Sequence, residues 1–318
     1  MNKNIHSGAY PTMITPYQEN GTVDYGAVRA LTEWYWNCGC DGIFAACQSS
    51  EIAYLSLRDR VRISRTVKET ADALAKTDSG GRTMSVVASG HIAEDFDEQV
   101  RELTEIAGTG VDAVVLISNR LDIENTSDAH WIADAERLLD ALPADVATGI
   151  YECPRPYKRL LTDGMIDWIA HSGRFAFIKD TCCDADRIAR RMEQLRSSGV
   201  RLFNANGQTA LASLRSGAAG YCGIMCNFHP RLYVWLCHNW KTRPELAERV
   251  AAILSMCAFT EGPTYPVTAK YHLSHYENIP MSLYARSAHR ADFTPYHRAW
   301  VDQMHLVAQA LEAELGLI

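Results

Sequence analysis

An uninterrupted apolar run of about 18 residues or more occurs nowhere in the 318-residue sequence, so the length of apolar chain that a membrane-spanning helix needs is missing. The opening residues, Met1-Asn2-Lys3-Asn4-Ile5-His6-Ser7, lack the apolar core of a secretion signal. Positive charge is in deficit: 31 Lys and Arg stand against 38 Asp and Glu, a formal net charge of −7. Nucleic acid is bound by clustered cations that neutralise phosphates, so that class of partner is set aside, as is a membrane. Low-complexity tracts and internal repeats are missing as well, and no Cys-x-x-Cys occurs to nominate zinc. The ten cysteines are scattered, with Cys38 and Cys40, Cys182-Cys183, and Cys222 and Cys226 near His229 as the nearest approaches to a cluster. They are expected to be reduced, buried thiols of a cytoplasmic protein, with no metal site among them. A hydrophobic fraction of 47% with 22% charged residues is the composition of an ordinary folded domain.

What the chain does have is a regular alternation of short apolar runs and longer amphipathic stretches. Eight runs predict strands: Tyr10 to Thr15, Gly42 to Cys47, Thr83 to Ser89, Asp112 to Ser118, Ala147 to Tyr151, Phe175 to Lys179, Arg201 to Ala205 and Ala219 to Met225. Between them the period becomes helical, with Val28, Leu31, Tyr35 and Cys38 on one face, then Phe96, Val100 and Leu103, then Ile188, Met192 and Leu195. Ala113-Val114-Val115-Leu116-Ile117 is apolar throughout, as a parallel strand covered on both faces requires. Eight strand–helix units predict an α/β fold, a (β/α)8 TIM barrel over residues 1–230. From about Arg231 the strand pattern stops, and Pro244 to Phe259 and Tyr296 to Leu315 predict a C-terminal helical extension over 231–318. The polar, Gly-containing stretch 76–82 reads as a surface loop.

In such a barrel, reactive groups sit at the C-terminal ends of the strands. Lys179 ends the sixth run, its stem among apolar neighbours, where the nucleophilic free amine is favoured and a Schiff base with a carbonyl is the natural product. Tyr151 closes the fifth run, close enough in barrel order for its phenol to move protons at that imine. After the second run, Cys47-Gln48-Ser49-Ser50-Glu51 offers hydroxyls and backbone N–H groups suited to a carboxylate. Each feature alone has an ordinary structural explanation; the Lys179 and Tyr151 pair is the more specific.

These pieces resemble the dihydrodipicolinate synthase and N-acetylneuraminate lyase family. The resemblance rests on Ile14-Thr15-Pro16 with Gly21-Thr22-Val23-Asp24, on Gln48-Ser49-Ser50-Glu51, and on Tyr151-Glu152-Cys153-Pro154. It continues through Ile178-Lys179-Asp180-Thr181, Gly217 to Asn227, and Tyr265-Pro266-Val267-Thr268-Ala269-Lys270, all in family order. Tyr-x-x-Pro and Lys-Asp-Thr, 28 positions apart from Tyr151 to Lys179, form the most specific pair. The resemblance implies a class I aldolase or lyase without metal or cofactor, in which Lys179 forms an imine with pyruvate or another 2-oxo acid, Tyr151 transfers protons and Gln48-Ser49 holds the carboxylate. It also implies a homo-oligomer, a tetramer in many family members.

The departures bear on substrate. Cys47, Gln48, Ser49 and Ser50 fill places where the family carries Gly-Thr-Thr-Gly or Gly-Ser-Thr-Gly, putting an amide where a small hydroxyl relays a proton. Asn119-Arg120-Leu121 replaces a Pro-Tyr-Tyr, Pro156 stands where synthases carry an arginine, and Asn204 replaces a glycine. Arg155 and Asn204, with Cys222 on the eighth run, are grouped with Gln48, Ser49 and Ser50 as substrate-contacting residues; Arg120, Lys158 and Arg159 are further cations available to an acidic or polyhydroxylated acceptor. The leading expectation is a lyase or aldolase joining or separating pyruvate and an aldehyde. Dihydrodipicolinate synthase itself, or a dehydratase of a sugar-derived 2-oxo acid, would use the same imine. A catalytically silent 2-oxo-acid-binding barrel is the expectation of a different class, favoured by Gln48 and Ser50 and opposed by Lys179 with Tyr151.

Overall fold

The computed structural model describes residues 5–262 and 264–318, so the start of the chain that was read for a secretion signal lies partly outside the described residues. Eight parallel strands form one sheet: β1 Gly8–Pro11, β2 Gly42–Phe44, β3 Ser85–Ser89, β4 Ala113–Ile117, β5 Thr148–Tyr151, β6 Phe175–Asp180, β7 Arg201–Asn204 and β8 Gly220–Gly223. Their order is β1-β8-β7-β6-β5-β4-β3-β2. Asp41 N donates to Ala9 O (3.1 Å) and Met13 N to Phe44 O (3.0 Å), which brings β1 back against β2 in a TIM barrel. All eight strands expected from the sequence are present. The first starts and stops earlier than Tyr10 to Thr15: beyond Pro11 only Thr12 keeps a bridge to Phe44, and Thr15 turns its hydroxyl to Ser50 O (2.7 Å).

The alternation of the strands divides the core in two. On β4, Val115 and Ile117 join an inner cluster with Tyr10, Phe44, Val87, Phe177 and Phe203, whereas Val114 and Leu116 join the outer one beneath the helices. The same alternation on β6 sends Phe177 inward and Ile178 outward, so position 179 points into the barrel. Gly220 is required by the closure, since a Cβ there would stand 1.9 Å from Gly8 O on β1.

The barrel helices start where short polar side chains can accept from their free N–H groups. Asp24, Ser56, Asp95, Ser127, Thr162 and Asp184 cap α1 Tyr25–Asn37, α2 Leu57–Thr77, α3 Phe96–Ala107, α4 Asp128–Ala141, α5 Asp163–Ser172 and α6 Ala185–Leu195. α7 Ala210–Arg215 is short, and α8 Pro230–Asn239 packs on β1 and β8 as the eighth helix of the outer layer. Then follow α9 Pro244–Cys257, α10 Val267–His275 and α11 Pro295–Glu314, with a bond from Trp34 Nε1 on α1 to Glu277 Oε2 (2.8 Å) tying this segment to the barrel. No helix among the described residues is long and apolar enough to cross a membrane. All ten cysteines are free; seven are buried, Cys182 and Cys237 are half-buried, and Cys183 is exposed in the turn after β6.

Candidate active site

Tyr151 and Lys179 face one another across the β5–β6 ladder as register partners. Lys179 is 3% exposed, and its Nζ lies 4.0 Å from the Tyr151 ring centroid and 5.1 Å from that of Phe44. The amine therefore rests on aromatic faces inside the barrel, a contact that suits a cation and shelters it from water. The Tyr151 hydroxyl meets the Cys153 thiol, and burial, reinforced by nearby Cys153, Cys47 and Cys222, holds its pKa well above the usual phenol range. The phenol is thus a proton donor at rest. Burial also pushes the Cys222 thiol up to about 12, against the pull of Lys179, and raises that of Cys153. These two present thiols rather than the thiolates a metal ion takes.

The strand ends are fixed by an ionic cluster that sequence reasoning missed. Arg191, fully buried on α6, pairs with Glu152 (2.7 Å) and with Asp180, and donates to Leu161 O (2.7 Å). Glu152 in turn accepts from Leu161 N and Thr181 N (both 2.8 Å), and Asp180 from Cys182 N (2.8 Å). Burial raises the Glu152 pKa while Arg191 opposes it. Asp180, adjacent to Lys179 in sequence, is thereby committed to Arg191. Asn119 gives a second clamp, its amide nitrogen reaching the carbonyls of Cys153 (2.9 Å), Arg155 (2.9 Å) and Tyr157 (2.5 Å) after β5. A polar residue directly after Tyr151, an acid directly after Lys179 and an arginine on the buried face of α6 were the only signals available.

Above the amine, Gln48, Ser49, Arg155, Glu261, Tyr265 and Ser287 line part of a cavity of about 530 Å³. Lys179 and Tyr151 are not in its lining, and Gln48 is the link: its Oε1 accepts from Cys153 Sγ (3.6 Å), which contacts Tyr151. Ser49 Oγ donates to Thr12 Oγ1 (3.0 Å) and also meets the Tyr265 hydroxyl. Glu261 is exposed as a residue, yet enclosure of its carboxyl in this cleft pushes its pKa up to about 7, with Lys179 pulling the other way.

The remaining residues singled out from the sequence are not in the lining of this cavity. Ser50 Oγ donates to Met13 O (2.6 Å) and Ala45 O (2.9 Å), so its hydroxyl holds the loop together. Asn204 directs its amide to Thr209 (2.9 Å) and Ser213 (3.2 Å). Cys222 lies in the inner cluster with Tyr151. Arg159 is buried against Asp122 (2.8 Å), Arg120 pairs with Glu94 (3.4 Å) in a different cleft, and Lys158 is exposed.

The "Dihydrodipicolinate synthetase family" model matches residues 6–99. A 4-hydroxy-tetrahydrodipicolinate synthase of Pseudoalteromonas atlantica is 22% identical over 275 residues, covering 85% of this chain and 88% of its own. In fold, a dihydrodipicolinate synthase from Bacillus anthracis superposes with a TM-score of 0.82 at 15% identity, covering 94% of this chain and 97% of its own. One from Acinetobacter baumannii, solved in complex with pyruvate, gives 0.81 at 17% identity, covering 95% and 99%. Relatives spanning most of the sequence and the match over its first strands liken the chain to the dihydrodipicolinate synthetase family, and the solved structures share its barrel fold.

Proposed function

We propose that this protein is a class I lyase or aldolase that makes or breaks a carbon–carbon bond between pyruvate and an aldehyde through an imine on Lys179. The observation carrying this reading is an amine buried in the barrel interior, 4.0 Å from the ring of a tyrosine whose hydroxyl stays protonated. The free amine attacks the ketone carbon and water leaves as the imine forms. The protonated imine nitrogen then accepts the electron pair released by cleavage, giving an enamine, or returns it when the bond is made. Tyr151 supplies and removes protons at the carbinolamine and at the acceptor oxygen. Gln48 and Ser49, with Arg155 at the rim, are the groups offered to the carboxylate and acceptor.

Borohydride added with pyruvate tests this. The intact mass is expected to rise by one reduced adduct, mapped to Lys179 and abolished by Lys179→Ala; an unchanged wild-type mass would overturn the imine. Gln48, an amide where the family carries a hydroxyl, favours a second reading in which the pocket holds a 2-oxo acid without turnover. Trapping with no pyruvate consumed against a panel of aldehydes, aspartate semialdehyde included, would select it.

A further inference from the structure

Beneath the C-terminal helices, far in sequence from the barrel lysine, two imidazoles and a carboxylate converge. His272, on the last turn of α10, turns Nε2 to within 3.3 Å of His305 Nδ1 on α11, and one ligand atom from each of His272, Glu277 and His305 lies within 4.8 Å of the others. Two nitrogens held at about 2.0–2.1 Å from a tetrahedral zinc ion stand ~3.3 Å apart, so the observed separation is that of a coordination edge. We propose that His272, Glu277 and His305 form a binding site for a divalent transition-metal ion of the zinc class, a water completing the tetrahedron.

The surroundings pre-orient all three ligands. The Glu277 carboxylate accepts from the Trp34 indole (2.8 Å), which aims it as outer-sphere partners aim metal ligands. The His305 ring is stacked on Tyr276, centroids 3.8 Å apart and 13° from parallel, and the Tyr276 hydroxyl is tied to Asp302 on α11 (2.7 Å). His272 is buried edge-on against Phe228, and its Nδ1 has no partner, so the ring is not fully satisfied by contact with His305 alone. Burial lowers the pKa of His272 well below the usual histidine value and lowers that of His305. Between two neutral rings this contact is a hydrogen bond in which one facing nitrogen carries the proton, so binding an ion would require that ring to hold its proton on its other nitrogen, leaving both facing lone pairs to the ion. Two imidazoles and one carboxylate with an open fourth place suit zinc and its neighbours better than magnesium or calcium, which favour oxygen ligands. The ion would fasten α10 and α11 together and, through Glu277 and Trp34, both to α1. The alternative is a simple hydrogen bond between two neutral rings.

The test uses the full chain stripped with a chelator, titrated with Zn²⁺ by calorimetry and with Co²⁺ by absorption. Wild type is expected to take one Zn²⁺ per chain, to give the d–d band of tetrahedral cobalt, and to melt at a higher temperature when loaded. His305→Gln and Glu277→Gln should each weaken that site at least tenfold and abolish the cobalt band. Borohydride trapping of pyruvate on Lys179 should proceed in both variants, as it reports an intact barrel independently of the ion. Absence of stoichiometric binding by wild type, or equal affinity in wild type and both variants, overturns the proposal.

Discussion

A buried phenol is a poor acid in isolation, but burial is also what keeps its proton available until a substrate oxygen or nitrogen arrives to take it. Tyr151 is in this condition, its hydroxyl against Cys153 and the Gln48 amide next in line. An amide does not exchange protons readily at neutral pH, so Gln48 can orient the chain of contacts without replacing the hydroxyl that the family carries there. The burden of proton transfer therefore falls on Tyr151. Tyr151→Phe should lower turnover by roughly 10²–10⁴, the usual worth of a positioned acid–base group. Slow borohydride trapping on Lys179 should survive, because the amine and its apolar surroundings remain. A near-normal steady-state rate in the Phe variant would transfer the role to the Cys153 thiol.

Two strand ends and one helix cooperate through Arg191, which spans from α6 to the residues immediately after Tyr151 and Lys179. Two carboxylates and a guanidinium out of water are tolerable only together: removing the cation leaves both acids buried without compensation. Arg191→Met should cost about 3–5 kcal/mol in a denaturant titration and slow imine formation through displacement of Asp180 and its neighbour. A loss under about 1 kcal/mol would mean that Glu152 and Asp180 find other partners. This cluster also marks where sequence reading stops. Lys179 and Tyr151 were legible because each ends an apolar run whose period of two fixes the direction of the side chain. Arg191 pairs with residues 11 and 39 positions away, a spacing set by the packing of α6 on the strand ends that no local pattern encodes. Ser50 and Asn204 illustrate the converse: composition shows a hydroxyl or an amide near a strand end, but not whether it faces the cavity or is taken up by neighbouring protein groups. His272, Glu277 and His305 escaped notice for the same reason as Arg191, since their elements meet only in the folded chain.

The barrel itself was legible because eight apolar runs, buried on both faces, leave the chain few ways to fold other than a closed parallel sheet. The C-terminal segment gave only helical periodicity, and its seat on the barrel depends on a few polar contacts between distant elements. One is Arg231 on α8 with Glu312 on α11, 3.9 Å apart and largely buried. Burial pushes the Glu312 carboxyl up to about 7, against the pull of Arg231 and with Glu277 adding to it. The native state thus holds this proton more tightly than the unfolded chain, whose glutamates titrate near 4.3. Between those two values the folded form binds more protons, so this residue's contribution to stability declines as pH rises from about 4.5 to 7 and is level above. The full shift corresponds to at most ~3.7 kcal/mol. Glu312→Gln replaces the carboxyl with an amide that has no proton to lose. In chelator-treated protein, urea titrations should find the variant close to wild type near pH 5 and more stable by ~1–3 kcal/mol at pH 8. Parallel stability curves for the two proteins across that window would show that Arg231 holds Glu312 ionised throughout, and that α11 is seated on the barrel by an ion pair at all of these pH values.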